Sequence, residues 1–148
     1  MYTPAPRNTE IAPFQVMEIA TRARAREAAG ASIIHMEIGE PDFPTPAPVL
    51  AAARAFLEQG GVYYTSALGL PKLREGIAQH YQRMCGVEVD PARIIVTAGG
   101  SAALMLVNAL IVGRDDEILM TDPSYPCNRH FARVLEGKAV TIATGFET

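Results

Sequence analysis

The chain has 148 residues, the size of one ordinary domain or of part of a larger one. Its 49% apolar and 20% charged residues exclude a disordered tail, a collagen-like repeat and a disulfide-framed mini-protein. Thirteen Lys and Arg against sixteen Asp and Glu leave a formal charge of −3, with no basic run dense enough for a nucleic-acid footprint. The start, Met1 to Asn8, carries no apolar leader segment. The longest apolar run, Ala102–Val112, is broken by Asn108 and is too short to span a bilayer. Cys85 and Cys127 lie far apart without metal or redox spacing. These features together predict a soluble, cytoplasmic protein with reduced thiols and neither a membrane nor a nucleic-acid partner.

In chain order, residues 1–12 read as an irregular arm. A helix is expected from Pro13 to Ala29, with Val16, Ile19 and Ala23 on one face and Gly30 as its stop. Ile33–Met36 reads as a short strand. Glu37–Pro48 holds four prolines and one glycine in twelve residues and must be a restricted loop. Helices follow over Val49–Gln59 and Leu70–Met84, the latter closed by Gly86. The pattern then alternates: strand Ile94–Val96, helix Ala102–Val112, strand Glu117–Met120, helix Tyr125–Glu136, strand Ala139–Ala143. Such alternation with short links is the mark of a parallel α/β sheet. The helix Ala102–Val112 is apolar almost all round, so it is expected to be covered on every side. One such unit can hardly enclose it, and a chain ending at Thr148 just after a strand reads as a truncated protein or a piece of a larger assembly.

The stretch Thr97-Ala98-Gly99-Gly100-Ser101 leaves a strand through two glycines and enters a helix, with Ser101 suited to the cap position. Unpaired N–H groups and the positive dipole end make such a helix start a cup for an anion, and glycines let the anion approach. A plain tight turn between strand and helix fits the same spacing equally well. The dinucleotide and P-loop glycine patterns are both absent. After the next strand comes Asp122-Pro123-Ser124-Tyr125-Pro126, where two prolines restrict the loop around Tyr125. Its ring either packs that loop or offers a flat platform at the same sheet edge. His35, His80 and His130 show no metal-ligand spacing and read as structural or surface residues. Cys127 has no base beside it in sequence and gives no support to a nucleophile.

Four blocks together are similar to the N-terminal part of a class I/II, fold-type-I pyridoxal-phosphate aminotransferase, of the aspartate aminotransferase superfamily. They are Gly39-Glu40-Pro41-Asp42-Phe43 with Thr45-Pro46; Tyr64 followed by Gly69-Leu70-Pro71-Lys72-Leu73-Arg74; Val96 through Leu104; and Asp115-Asp116-Glu117-Ile118 leading to Asp122–Pro126. The resemblance implies an α/β chain: a small-domain segment plus the first βαβαβ part of a large parallel or mixed sheet. Residues 1–48 would be the arm, first helix and substrate loop, and 49–148 the first, incomplete part of the cofactor-binding domain. It further implies that Gly99, Gly100 and Ser101 hold the phosphate of pyridoxal 5'-phosphate and that Tyr125 stacks on its ring. Tyr64 would reach the cofactor of the neighbouring subunit in a homodimer, and Gly39 would approach the substrate carboxylate.

The same resemblance implies amino-group transfer between an amino acid and a 2-oxo acid. That chemistry needs a lysine in Schiff-base linkage to the cofactor, a ring-nitrogen acid and a carboxylate-binding arginine. All of these fall downstream of the matching region. Of the lysines present, Lys72 sits in a block where the family places no such residue, and Lys138 follows Gly137 at a strand entry, where a solvated lysine is ordinary. No catalytic residue is therefore assigned, and the 148 residues alone are expected to be inactive. A non-catalytic paralogue serving dimerisation or regulation, or a fragment of a lyase or synthase of the same superfamily, remain the alternatives.

Overall fold

Proline and glycine punctuate the helices. α1 (Gln15–Ala28) starts after Pro13 and ends before Gly30, whose φ is +92°. α2 (Ala47–Glu58) and α3 (Pro71–Cys85) carry proline in the first turn, where its missing N–H would have no partner. Gly86, in the left-handed region, closes α3. The remaining elements are α4 (Gly99–Ile111), β1 (Glu117–Asp122), α5 (Cys127–Val134) and β2 (Lys138–Ala143). The computed structural model describes residues 2–145, so the chain end at Thr148 lies outside the described residues. No helix among them is long and apolar enough to cross a membrane.

The chain divides into two compact units, one made of residues 40–98 and the other of the segments before and after them. In the second of these, β1 and β2 pair in parallel from Glu117↔Lys138 to Asp122↔Ala143, with α5 as the crossover. The link into β2 is tightly bonded: Gly137 N–H donates to Ala132 O at 3.0 Å, and Lys138 N–H to Asp116 O at 2.8 Å. α5 packs on β2 and α4 on α5. Ala132, fully buried on α5, is small enough to let these layers close. In the 40–98 unit, Arg74 of α3 donates through Nε and Nη2 to Pro91 O, at 2.9 and 2.6 Å. Val96 N–H donates to Leu68 O at 3.0 Å.

The sequence expectations need four corrections. Ile33–Met36 and Ile94–Val96 are not strands, because a strand exists only through a neighbour to pair with. Among the described residues only β1 and β2 find one another. On α1 the covered stripe runs through Val16, Ala20 and Ala23, while Ile19 is 51% exposed. Helical spacing permits either stripe, and the packing partner selects. α4 has no buried residue, and Leu110 is 84% exposed. Its packing against α5 covers one stripe of a helix that is apolar on several sides. Finally, α5 starts at Cys127, so Tyr125 belongs to the preceding loop.

Gly69 joins Leu68 to α3 at φ +99°, and a Cβ there would lie 2.6 Å from Val96 Cγ2. Gly69→Ala combines backbone strain with overpacking against a stiff β-branched side chain. It should cost about 2–4 kcal/mol. Thermal unfolding of the protein carrying this sequence checks this, and an unchanged melting temperature contradicts it.

Candidate functional site

α4 begins differently from the other long helices. α2 and α3 have proline in the first turn, and α1 has Glu18 there; α4 has neither proline nor acid there. First-turn N–H groups of a helix have no intrahelical carbonyl partner, and no acidic residue stands in the first turn of α4 to offset its dipole. Gly99 sits at φ +81°, a conformation that favours glycine, and a Cβ built on Gly99 or Gly100 would meet nothing within 4 Å. Ser101 is exposed. Because α4 already starts at Gly99, Ser101 lies inside the first turn rather than at the cap position. The N–H groups of Gly100 and Ser101 and the Ser101 hydroxyl therefore all belong to the first turn of α4. The arrangement is an open cradle of donors that suits an anion with several acceptor oxygens.

The link 112–116 turns the chain from α4 back into β1. β1 ends at Asp122. Tyr125 follows that strand end, in a loop whose Asp122–Pro123 peptide is cis. Its ring meets Phe14 in a T-shaped contact, with centroids 5.9 Å apart and planes at 68°. Tyr125 is still 53% exposed. Hydrogen bonding to the Cys127 side chain, with a smaller electrostatic contribution from the same group, pushes its phenol above the ordinary tyrosine range. The ring therefore stays uncharged through the physiological range.

Gly39 follows a small charged cluster. His35 lies between two carboxylates, with Nε2 2.9 Å from Glu27 Oε2 at the end of α1 and Nδ1 2.6 Å from Glu37 Oε1. Glu37 Oε2 also accepts from the Met36 N–H at 3.0 Å. The hydrogen bond to Glu37, followed by that to Glu27, raises the His35 pKa. The same contact with His35 lowers that of Glu37. The cluster ties the end of α1 to the segment leading into Gly39, where a Cβ would meet no atom within 4 Å.

Gly39, Gly99–Ser101 and Tyr125 thus belong to one unit. Tyr64 belongs to the 40–98 unit; its side chain is fully exposed at 108%. Lys138 Nζ is held 3.0 Å from Asp115 Oδ1, and Lys72 lies in the first turn of α3. Phe14 and the bridging role of His35 are features the sequence reading missed. For Phe14 the available signal was an aromatic residue between Pro13 and the helix, outside the apolar stripe of α1. For His35 it was a histidine two residues from one glutamate and eight from another.

Comparison with known proteins shows the family of the chain. The profile of aminotransferase class I and II matches residues 31–147. A (5-formylfuran-3-yl)methyl phosphate transaminase of Methanocaldococcus jannaschii is 39% identical over 127 residues, covering 86% of this chain and 34% of that protein. The valine–pyruvate aminotransferase of Mycobacterium tuberculosis is 34% identical over 138 residues, covering 93% of this chain and 36% of its own length. A crystal structure of an aminotransferase from M. tuberculosis superposes with a TM-score of 0.93 and 33% identity, over 100% of this chain and 38% of that one. An aspartate aminotransferase from Thermus thermophilus, solved with maleate, gives 0.91 and 31%, over 99% of this chain and 38% of that one. The chain spans about a third of the length of these relatives. Its fold is the α/β, fold-type-I architecture of pyridoxal-phosphate transferases. The chain belongs to the class I and II aminotransferases.

The raised His35 pKa carries a definite pH dependence. Its contribution to stability is complete below the unfolded value of about 6.5 and is lost as pH rises through the higher folded value. Glu37 acts in the opposite sense, its contribution fading as pH falls through its lowered value. In a proton NMR titration the His35 ring should therefore have its midpoint above 6.5. Glu37→Gln should shift it downward, and an unmoved midpoint contradicts the bridge.

Proposed function

We propose that the protein carrying this sequence is a pyridoxal-phosphate-dependent aminotransferase, moving an amino group between an amino acid and a 2-oxo acid. The residues described here form the phosphate-and-ring half of its site. The carrying observation is the start of α4: left-handed Gly99, open space over Gly99 and Gly100, exposed Ser101, and no carboxylate in the turn. This meets the need of a phosphate monoester for several donors without a competing anion. In this reading the N–H groups of Gly100 and Ser101, with the Ser101 hydroxyl, donate to the phosphate. Gly99 keeps the approach clear. Tyr125 offers an uncharged aromatic face to the ring, and Gly39 lets backbone approach the substrate carboxylate. When bound, the cofactor supplies an electron-withdrawing ring that carries the amino group.

The full exposure of Tyr64 supports a role outside its own unit. We assign it to the cofactor phosphate of the neighbouring subunit in a homodimer. Unpaired Cys85 and Cys127 support a cytoplasmic setting. The engagement of Lys138 by Asp115, together with the place of Lys72 on α3, supports leaving both lysines out of the chemistry. By this reading the 148 residues alone do not catalyse transfer.

Equilibrium dialysis against pyridoxal phosphate tests the phosphate assignment. Gly100→Val and Ser101→Ala should each weaken retention about tenfold or more, the worth of a lost hydrogen bond to a charged group. Retention equal to the unaltered protein's overturns the assignment. Turnover of an amino acid with 2-oxoglutarate by the 148 residues alone overturns their proposed inactivity.

A further inference from the structure

Three contacts tie the N-terminal segment to the region around α5, and they run in opposite senses along the chain. Arg7 faces Glu136 at 3.9 Å, Glu10 pairs with Arg133, and Phe14 meets Tyr125. As residue numbers rise on one side they fall on the other, so the segment lies antiparallel to α5. Both ion pairs are solvent-exposed and contribute little energy. Their effect is directional: they lead the segment towards the loop that carries Tyr125.

Phe14 is itself well fixed. It caps α1, its carbonyl accepts the Met17 N–H at 3.0 Å, and Pro13 restricts the approach. Its ring is half-buried, while Tyr125 keeps 53% of its surface open. A T-shaped pair resists rotation of either ring, because swinging towards a face-to-face sandwich sets like quadrupoles against each other. At 5.9 Å and 68° the pair lies within the favourable range.

We propose that Phe14 is a positioning residue for Tyr125: the N-terminal segment, strapped along α5, sets the angle at which Tyr125 presents its ring to a planar ligand. The inference rests on the reading of Tyr125 as the cofactor platform, but Phe14 need not touch the ligand. Its contribution is to remove rotational freedom from the ring before the ligand arrives.

The test uses the protein carrying this sequence, loaded with pyridoxal phosphate, and the variants Phe14→Leu, Phe14→Tyr, Tyr125→Leu and Glu10→Gln. Affinity is read by absorbance titration. Orientation is read from the circular dichroism of the cofactor band, normalised to the amount bound. Phe14→Leu should weaken affinity roughly 2- to 12-fold, the worth of an aromatic pair, and reduce the normalised dichroism. Phe14→Tyr should restore both. If Tyr125→Leu weakens binding while Phe14→Leu changes neither quantity, the positioning role fails and the reading of Tyr125 stands. If Tyr125→Leu also changes nothing, both fail. Should Phe14→Leu not fold, Glu10→Gln breaks the ion pair of the strap that lies nearer to Phe14 in sequence, without touching either ring. It must still lower the normalised dichroism, and an unchanged band contradicts the proposal.

Discussion

A helix must leave its first N–H groups without carbonyl partners of its own, and the proposed site depends on how α4 meets that constraint. Most helices meet it locally. Here α2 and α3 remove a donor with proline, and α1 brings a glutamate to its positive end. α4 does neither: its first turn holds two glycines and a serine, with no acidic residue and with open space over both glycines. An anion supplied from outside is the natural complement. Tyr125 belongs to the same unit as this helix start, in the loop that follows β1.

Helices were largely legible because their signals are local. Pro71 and Gly86 bracket α3 in sequence and in space alike, and Gly30 stops α1. Strands were less so. Ile94–Val96 has a β-branched run, yet Val96 donates to Leu68 O in a loop, and no described strand lies beside it. Composition can propose a strand, but only a paired neighbour makes one. The same holds for burial. The apolar surface of α4 shows that it can be covered on several sides, whereas covering it takes more layers than α5 alone supplies.

The site divides along the same line. Gly99–Ser101 could be singled out because the β-branched run, the glycines and the helix are adjacent in sequence, and the family resemblance turned an ambiguous turn into a specific expectation. Phe14 could not. Its partner is more than a hundred residues away, and no spacing rule links a helix cap to a loop at that separation. The strap through Arg7 and Glu10 is hidden for the same reason: exposed charged residues are common, and only folding reveals which ones face each other. His35 is a milder case, since both partners are near in sequence but on different local structures, a helix end and a loop.

The central claim is that backbone amides at the start of α4 hold a phosphate. Amide NMR spectra of the nitrogen-15-labelled protein, recorded with pyridoxal phosphate and with unphosphorylated pyridoxal, address it directly. The account predicts that the Gly100 and Ser101 signals move downfield with the phosphorylated compound and stay in place with the other. Equal shifts with both compounds, or no shift at these two amides with either, would contradict it.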